Sequence, residues 1–230
     1  MQQDDYAFPQ ARILFFSRSP EPGRTKTRLI PPLGAKGAAH LHITLLRDVI
    51  ERAVAARLAP VELWCYPDCS HPLFQQLRQA LDIVLCEQHG KDLGERMHHA
   101  FTRALGEANY ALLCGTDCPG LNAQAISRCL SALATEYEAV MIPAEDGGYP
   151  AIGLRQPAPW LFKNMRWGDS GVAVRTRNRL ATAGLRWSEP MRLWDVDDEA
   201  DLARLRSAYP QIWQEISPFF FAATRAQGGG

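Results

Sequence analysis

Short, uninterrupted apolar runs recur along the chain and alternate with stretches of helical periodicity. Arg12–Ser17, Val61–Tyr66, Asp82–Glu87, Tyr110–Cys114 and Ala139–Pro143 read as strands, with a weaker candidate at Tyr149–Leu154. The runs are continuous, not alternating, so they predict strands covered on both faces. Between them, helices are expected at Ala35–Leu58, Pro72–Ala80, Leu93–Gly106 and Ala123–Thr135, then at Val172–Ala183 and Glu199–Tyr209. In the third helix Leu93, Met97, Phe101, Ala104 and Leu105 share one face. Asn122 is placed to cap the fourth. This alternation predicts an α/β fold: a single-domain, doubly wound, mainly parallel sheet with helices on both faces. Residues 1–10 read as an N-terminal extension, 11–215 as the domain and 216–230 as a C-terminal tail.

Composition narrows the function classes. A chain of 230 residues buries enough surface for a core without disulfides. The 25 Lys+Arg balance 25 Asp+Glu, which argues against a general electrostatic claim on nucleic acid or an anionic membrane. No stretch approaches the roughly 18–20 apolar residues of a membrane span. The acidic start Met-Gln-Gln-Asp-Asp is unlike a secretory leader, so a cytoplasmic location is expected. Cys65, Cys86 and Cys114 end apolar runs as small hydrophobes, and although Cys65/Cys69 and Cys114/Cys118 are each four apart, the histidines are not placed to complete a zinc site. All six are expected to be reduced thiols.

In a doubly wound sheet, ligands bind beyond the carboxyl ends of the strands, so the loops there carry the chemistry. The loop after the first strand holds Ser17, Arg18, Gly23, Arg24, Lys26 and Arg28, with two prolines. Its cations and backbone N–H groups suit a polyphosphate, although it is neither a Walker loop nor a G-x-G-x-x-G fingerprint. A solvated basic loop is the alternative. After the third strand come Gln88, Gly90, Asp92 and Gly94. The glycines would let backbone approach a ligand, and the Gln88 amide could read a base edge; equally, Asp92 caps the next helix and Gly90 turns the chain. Asp117 stands at the end of a buried apolar strand, as a divalent-metal ligand or as a cap. Asp198 caps the helix at Glu199, leaving Asp195 and Asp197 unexplained; one of these acidic sites could share a metal with Asp117. Asp146-Gly147-Gly148 is a hairpin turn or a substrate loop. Trp167, Asp169 and Ser170, flanked by Gly168 and Gly171, line an acceptor side or, for the tryptophan, fill the core.

Taken in order, Phe16 to Leu29, Asp92 to Met97, Gly115 to Pro119, Asp146 to Tyr149 and Asp195 to Asp197 resemble the motif series of the DUF2064 family. The resemblance spans about Ile13 to Leu205 and implies the GT-A fold of the nucleotide-diphospho-sugar transferases, a Rossmann-like nucleotidyltransferase architecture. It also implies relatedness to sugar-nucleotide and molybdopterin nucleotidyltransferases and to phospholactate guanylyltransferase. In those relatives the first loop holds phosphates, a glutamine near Gln88 touches the base, and the aspartate matching Asp117 binds Mg²⁺. The residue matching Asp197 is a second metal ligand in several of them, and the glycine matching Gly148 lies near the sugar or acceptor. The first loop departs from the usual glycine-rich form, being Pro-Glu-Pro-Gly here.

The expectation is therefore a transferase using Mg²⁺ or Mn²⁺ on a nucleotide or nucleotide-sugar, with Lys26 and Asp117 at the chemistry. Glycosyl transfer to a small-molecule acceptor is the first reading, as the family label suggests. Nucleotidyl transfer from an NTP to a phosphorylated small molecule, with release of pyrophosphate, is the second, and a non-catalytic nucleotide-binding regulator the third.

Overall fold

The computed structural model describes residues 5–227. Its first strand, β1 (Ala11–Arg18), is buried from Ala11 to Phe15 and lies inside the sheet, between β2 and β4. There follow α1 (Ile30–Ala55), β2 (Val61–Tyr66), α2 (Pro72–Ala80), β3 (Ile83–Glu87), α3 (Leu93–Leu105), β4 (Tyr110–Cys114) and α4 (Ala123–Thr135). The second half contains β5 (Ala139–Ile142), β6 (Ala151–Leu154), α5 (Pro159–Phe162), α6 (Val172–Thr182), β7 (Trp187–Ser188), α7 (Glu199–Ala208) and α8 (Pro210–Gln227). The seven strands order as β3-β2-β1-β4-β6-β5-β7. Every pairing is parallel except those of β6, which runs antiparallel to both β4 and β5.

Alternation along β1 distributes the core. Ile13 and Phe15 face α1, α2 and α4, meeting Leu46, Ile50, Phe74 and Ile126. Leu14 faces the opposite layer, with Met97 and Phe101 of α3, Phe162 of α5 and Leu180 of α6. A third cluster joins Leu41 and Leu45 of α1 to Leu202 and Leu205 of α7 and to Ile212 and Ile216 of α8. No helix among the described residues is long and apolar enough to cross a membrane. All six cysteines are free, and five are buried.

Two expectations shift. Helix α1 starts at Ile30 instead of Ala35, because a kink at Gly34 (φ 69°) joins a short leading turn to the main helix. Helix α8 is continuous through the 215/216 position where domain and tail were to divide. Pro210 opens this helix, where its missing N–H is no loss, and Pro218 lies inside it. Buried Ile212 and Ile216 then dock it. Residues 1–4 and 228–230 of the expected extension and tail lie outside the described residues.

Candidate active site

The ends of β1, β2, β3 and β4 and the start of β6 open on one edge of the sheet, around a cleft of about 580 Å³. That is the size range of a cofactor or substrate pocket. Its first wall is the loop after β1. Thr25 is buried and donates to the Ser19 carbonyl at 3.2 Å, closing the loop on itself, while Arg18, Arg24 and Arg28 project exposed into the cleft mouth. Arg24 also pairs with Glu21 at 3.2 Å. Gly23 takes φ 84° with open space around it and does not line the cleft, so its glycine serves the turn.

Lys26 is not an exposed loop cation. Its side chain is only 4% exposed, and its backbone sits in the left-handed region (φ 47°, ψ 50°), uncommon for a side chain of this size. The ammonium donates to the Val196 carbonyl at 2.7 Å, lies 3.0 Å from Asp117 Oδ1 and donates to Asp197 Oδ1 at 3.4 Å. Asp117 and Asp197 therefore converge on one cation, the Lys26 ammonium. The bond from Val196 N to the Asp117 carbonyl, 3.0 Å, ties the two segments together. Val196 is fully buried, so Asp195 and Asp197 turn together towards the cleft.

The sequence reading missed His42. It stands on the buried stripe of α1, with Nδ1 3.4 Å from Asp117 Oδ1 and Nε2 3.1 Å from Ser17 Oγ and 3.2 Å from the Arg18 carbonyl. The ring links the first loop to the strand-end carboxylate. A histidine among Leu41, Leu45 and Leu46 was the only available signal.

Electrostatics follow from the crowding. Burial works against an ionised Asp117, but Lys26 and His42 outweigh it and hold the carboxyl well below the usual carboxylate range. Burial, opposed by Lys26 and reinforced by Asp117, raises Asp197. Burial and then the carboxylates of Asp117, Asp197 and Asp146 push Asp195 up to about 7. The folded protein thus retains a proton on Asp195 that the unfolded chain loses near 3.8, so this contribution is full below that pH and is lost as pH rises through about 7. Asp195→Asn is expected to stabilise the metal-free protein at pH 8, on the order of 1–2 kcal/mol after solvent screening, and by less than half as much at pH 5. Urea unfolding at both values checks this; equal effects would refute it.

The donor set suits a hard divalent cation: the carboxylates of Asp117, Asp195 and Asp197 line one cleft. Among the described residues, however, no group of three or more His, Cys, Asp or Glu side chains surrounds a common metal position.

On the second wall, Arg96 stacks over the Tyr66 ring at 3.9 Å. Gln88 is nearly buried and its Nε2 donates to the Trp64 carbonyl at 2.8 Å and the Ser17 carbonyl at 3.3 Å, so its carbonyl oxygen is the half left for a ligand. Gly90, Asp92 and Gly94 do not line the cleft. Asp92 caps α3 by accepting from Glu95 N at 2.8 Å. A Cβ on Gly90 would meet Arg96 N at 2.7 Å, and one on Gly94 would meet the Phe162 carbonyl at 2.7 Å. The close approach at these glycines is to the chain itself.

The third wall comes from the β5–β6 loop and the segment before α6. Asp146 faces the cleft, where its Oδ1 accepts from Gly148 N at 2.8 Å. Gly147 points the other way, against the Ser170 backbone, and neither Gly147 nor Ser170 lines the cleft. Asp169 lines it while pairing with Arg175 and accepting from Gly171 N at 2.9 Å. Trp167 does both things weighed for it: it stacks on Phe162 and meets Tyr149 edge-on, yet its half-buried ring lines the cleft.

None of the curated proteins matches. A Desulfovibrio desulfuricans G20 protein, provisionally named a nucleotide-diphospho-sugar transferase, is 28% identical, with 93% of this chain and 98% of that one covered at a TM-score of 0.80. CMP:2-keto-3-deoxy-manno-octonic acid synthetase, solved with CTP, shares the fold at 16% identity and a TM-score of 0.56, covering 88% of this chain and 99% of that one. So does 4-diphosphocytidyl-2C-methyl-D-erythritol synthase from Anaerococcus prevotii DSM 20548, at 12% identity and a TM-score of 0.53, over 90% of this chain and 97% of that one. Residues 49–169, from within α1 to the third wall of the cleft, match the family described as "Uncharacterized protein conserved in bacteria (DUF2064)". With more than half of its length matched, the chain belongs to the DUF2064 family.

Proposed function

We propose that this chain is a divalent-metal-dependent transferase that takes a nucleotide-sugar and passes its glycosyl group to a small-molecule acceptor. The observation that carries this reading is the meeting, in one cleft, of the arginine-bearing loop after β1 with the carboxylates of Asp117, Asp195 and Asp197. The relative provisionally named a nucleotide-diphospho-sugar transferase supports it. Arg18, Arg24 and Arg28 bind the diphosphate, and the Tyr66–Arg96 stack with the Gln88 carbonyl faces the base. Asp146, Gly148, Trp167 and Asp169 face the acceptor. Asp117 and Asp197, with Asp195 beside them, would hold Mg²⁺ or Mn²⁺, which supplies stabilisation of charge on the departing diphosphate. Lys26 adds a positive charge to the same diphosphate.

The density of cations on the first loop favours a second reading, nucleotidyl transfer, because a triphosphate brings more charge to neutralise. A thermal-shift panel of NTPs and nucleotide-sugars with Mg²⁺ or Mn²⁺ selects the ligand, since one bound at about 100 times its Kd stabilises by about 2.7 kcal/mol. Product analysis then separates the readings: free nucleoside diphosphate for glycosyl transfer, pyrophosphate for nucleotidyl transfer. No shift with any of them would sink both.

Arg28→Ala is expected to weaken nucleotide binding about tenfold, the loss of one charge-assisted contact, and to leave the melting temperature unchanged. Lys26→Ala would lower both, because its ammonium is buried against two carboxylates. Calorimetric titration alongside thermal melts separates the two; a nucleotide affinity unchanged in Arg28→Ala would remove that arginine from the site.

A further inference from the structure

The ammonium of Lys26 occupies the point on which Asp117 and Asp197 converge, with the Val196 carbonyl as third partner. A divalent ion bound to the same oxygens needs about 2.1 Å to each, so ammonium and ion cannot share the place. The ammonium is not fixed by its backbone there. Lys26 lies between the first loop and a single turn of 3-10 helix (Thr27–Leu29), and its ammonium stands at the end of a flexible four-carbon stem in a cleft that Arg24 and Arg28 also line. Its left-handed φ of 47° is a conformation that a side chain normally avoids, retained here with three polar contacts at the end of that stem.

We propose that Lys26 is an internal counter-cation: it keeps the acidic pair closed to free divalent ions, and a nucleotide phosphate draws it away as the ion enters. The carboxylates face positive charge in both states, and the ion brings one more unit than the ammonium it replaces. Without ligand, one ammonium faces Asp117 and Asp197; with ligand, the ion faces the carboxylates and the ammonium faces the phosphate. Metal and nucleotide therefore enter as a pair, and neither occupies the cleft well alone. This inference rests on the reading of the cleft as a nucleotide site.

The test begins without nucleotide. Mn²⁺ binding is measured by electron paramagnetic resonance on the full chain and on Lys26→Met, which keeps the length of the side chain and removes its charge. Lys26→Met is expected to bind Mn²⁺ at least tenfold more tightly than the parent, and Asp117→Asn in that background to abolish the gain. A Lys26→Met protein that folds, by circular dichroism, and binds Mn²⁺ no better than the parent overturns the proposal. The parent supplies a second measurement that does not depend on the variant folding. The chain has four lysines, so the Lys26 ammonium can be followed by ¹H–¹⁵N correlation. Mg²⁺ alone should leave its signal in place, and Mg²⁺ with the nucleotide chosen by the thermal-shift panel should move it. Displacement by Mg²⁺ alone, or a signal unmoved at saturating nucleotide and Mg²⁺, overturns the proposal. Absence of any nucleotide binding to the parent would instead sink the functional reading; the Mn²⁺ comparison would still decide whether the lysine excludes the ion.

Discussion

Asp117→Asn is expected to lower turnover at least about 100-fold while leaving the protein folded. The substitution keeps the size of the side chain and removes the charge facing both Lys26 and His42. The ammonium is not stranded, because Asp197 and the Val196 carbonyl remain as partners. The Asp117 side chain is also 42% exposed, which softens the cost to on the order of 1–2 kcal/mol. The expected signature is therefore a large loss in kcat with a small fall in melting temperature. Kinetics on the ligand selected by thermal shift check it, and a variant retaining a third of parental turnover would remove Asp117 from the chemistry.

The largest expected loss of stability lies elsewhere. Gly147 has φ 91°, and a Cβ built there would stand 2.0 Å from the Ser170 carbonyl oxygen, well inside contact distance. The Gly147 carbonyl meanwhile accepts from Ala173 N at 2.8 Å, so the loop is clamped to the start of α6 and cannot withdraw without breaking that bond. Gly147→Ala should cost on the order of 3 kcal/mol, combining backbone strain with a forced displacement. Gly23→Ala is the control: it shares a positive φ of 84° but has open space, so about 1 kcal/mol is expected. Chemical denaturation of both variants measures the difference, and equal costs would mean that the approach of Gly147 to Ser170 carries no weight.

Much of the architecture was legible because parallel strands covered on both faces leave continuous apolar runs. Val61–Tyr66 and Tyr110–Cys114 were read to the residue, as was the α4 cap at Asn122, which accepts from Ala125 N at 3.0 Å. The strand-end loops followed from that. Their internal arrangement did not. Lys26, among prolines and arginines, reads as an exposed loop cation; only contact with Asp117 and with Asp197, 171 positions away, buries it. His42 reads as part of an apolar stripe, since nothing local marks a ring that reaches Asp117. Gly90 and Gly94 carry a true signal of close approach, but a glycine does not say whether the neighbour is a ligand or its own chain. Helix α8 was not read from the sequence: Pro210 is harmless at its first position, but Pro218 lies in its interior, where a proline ordinarily ends a helix.

The reversal of β6 has a consequence for how the specificities of this protein can change. Because β6 runs against its neighbours, its first residues arrive at the edge where β4 ends, and Gly115 N donates to the Pro150 carbonyl at 2.8 Å. The wall assigned to the nucleotide comes from the chain before β4, and the wall assigned to the acceptor comes from the chain after it, with Asp117 on the seam. On the proposed reading, the loops facing the base and phosphates and the loops facing the acceptor lie in consecutive stretches of sequence, with Asp195 and Asp197 joining from further along the chain. Exchange of residues 144–171 between relatives would then retune the acceptor and leave the donor site as it stands, a division of labour by position along the gene rather than by domain.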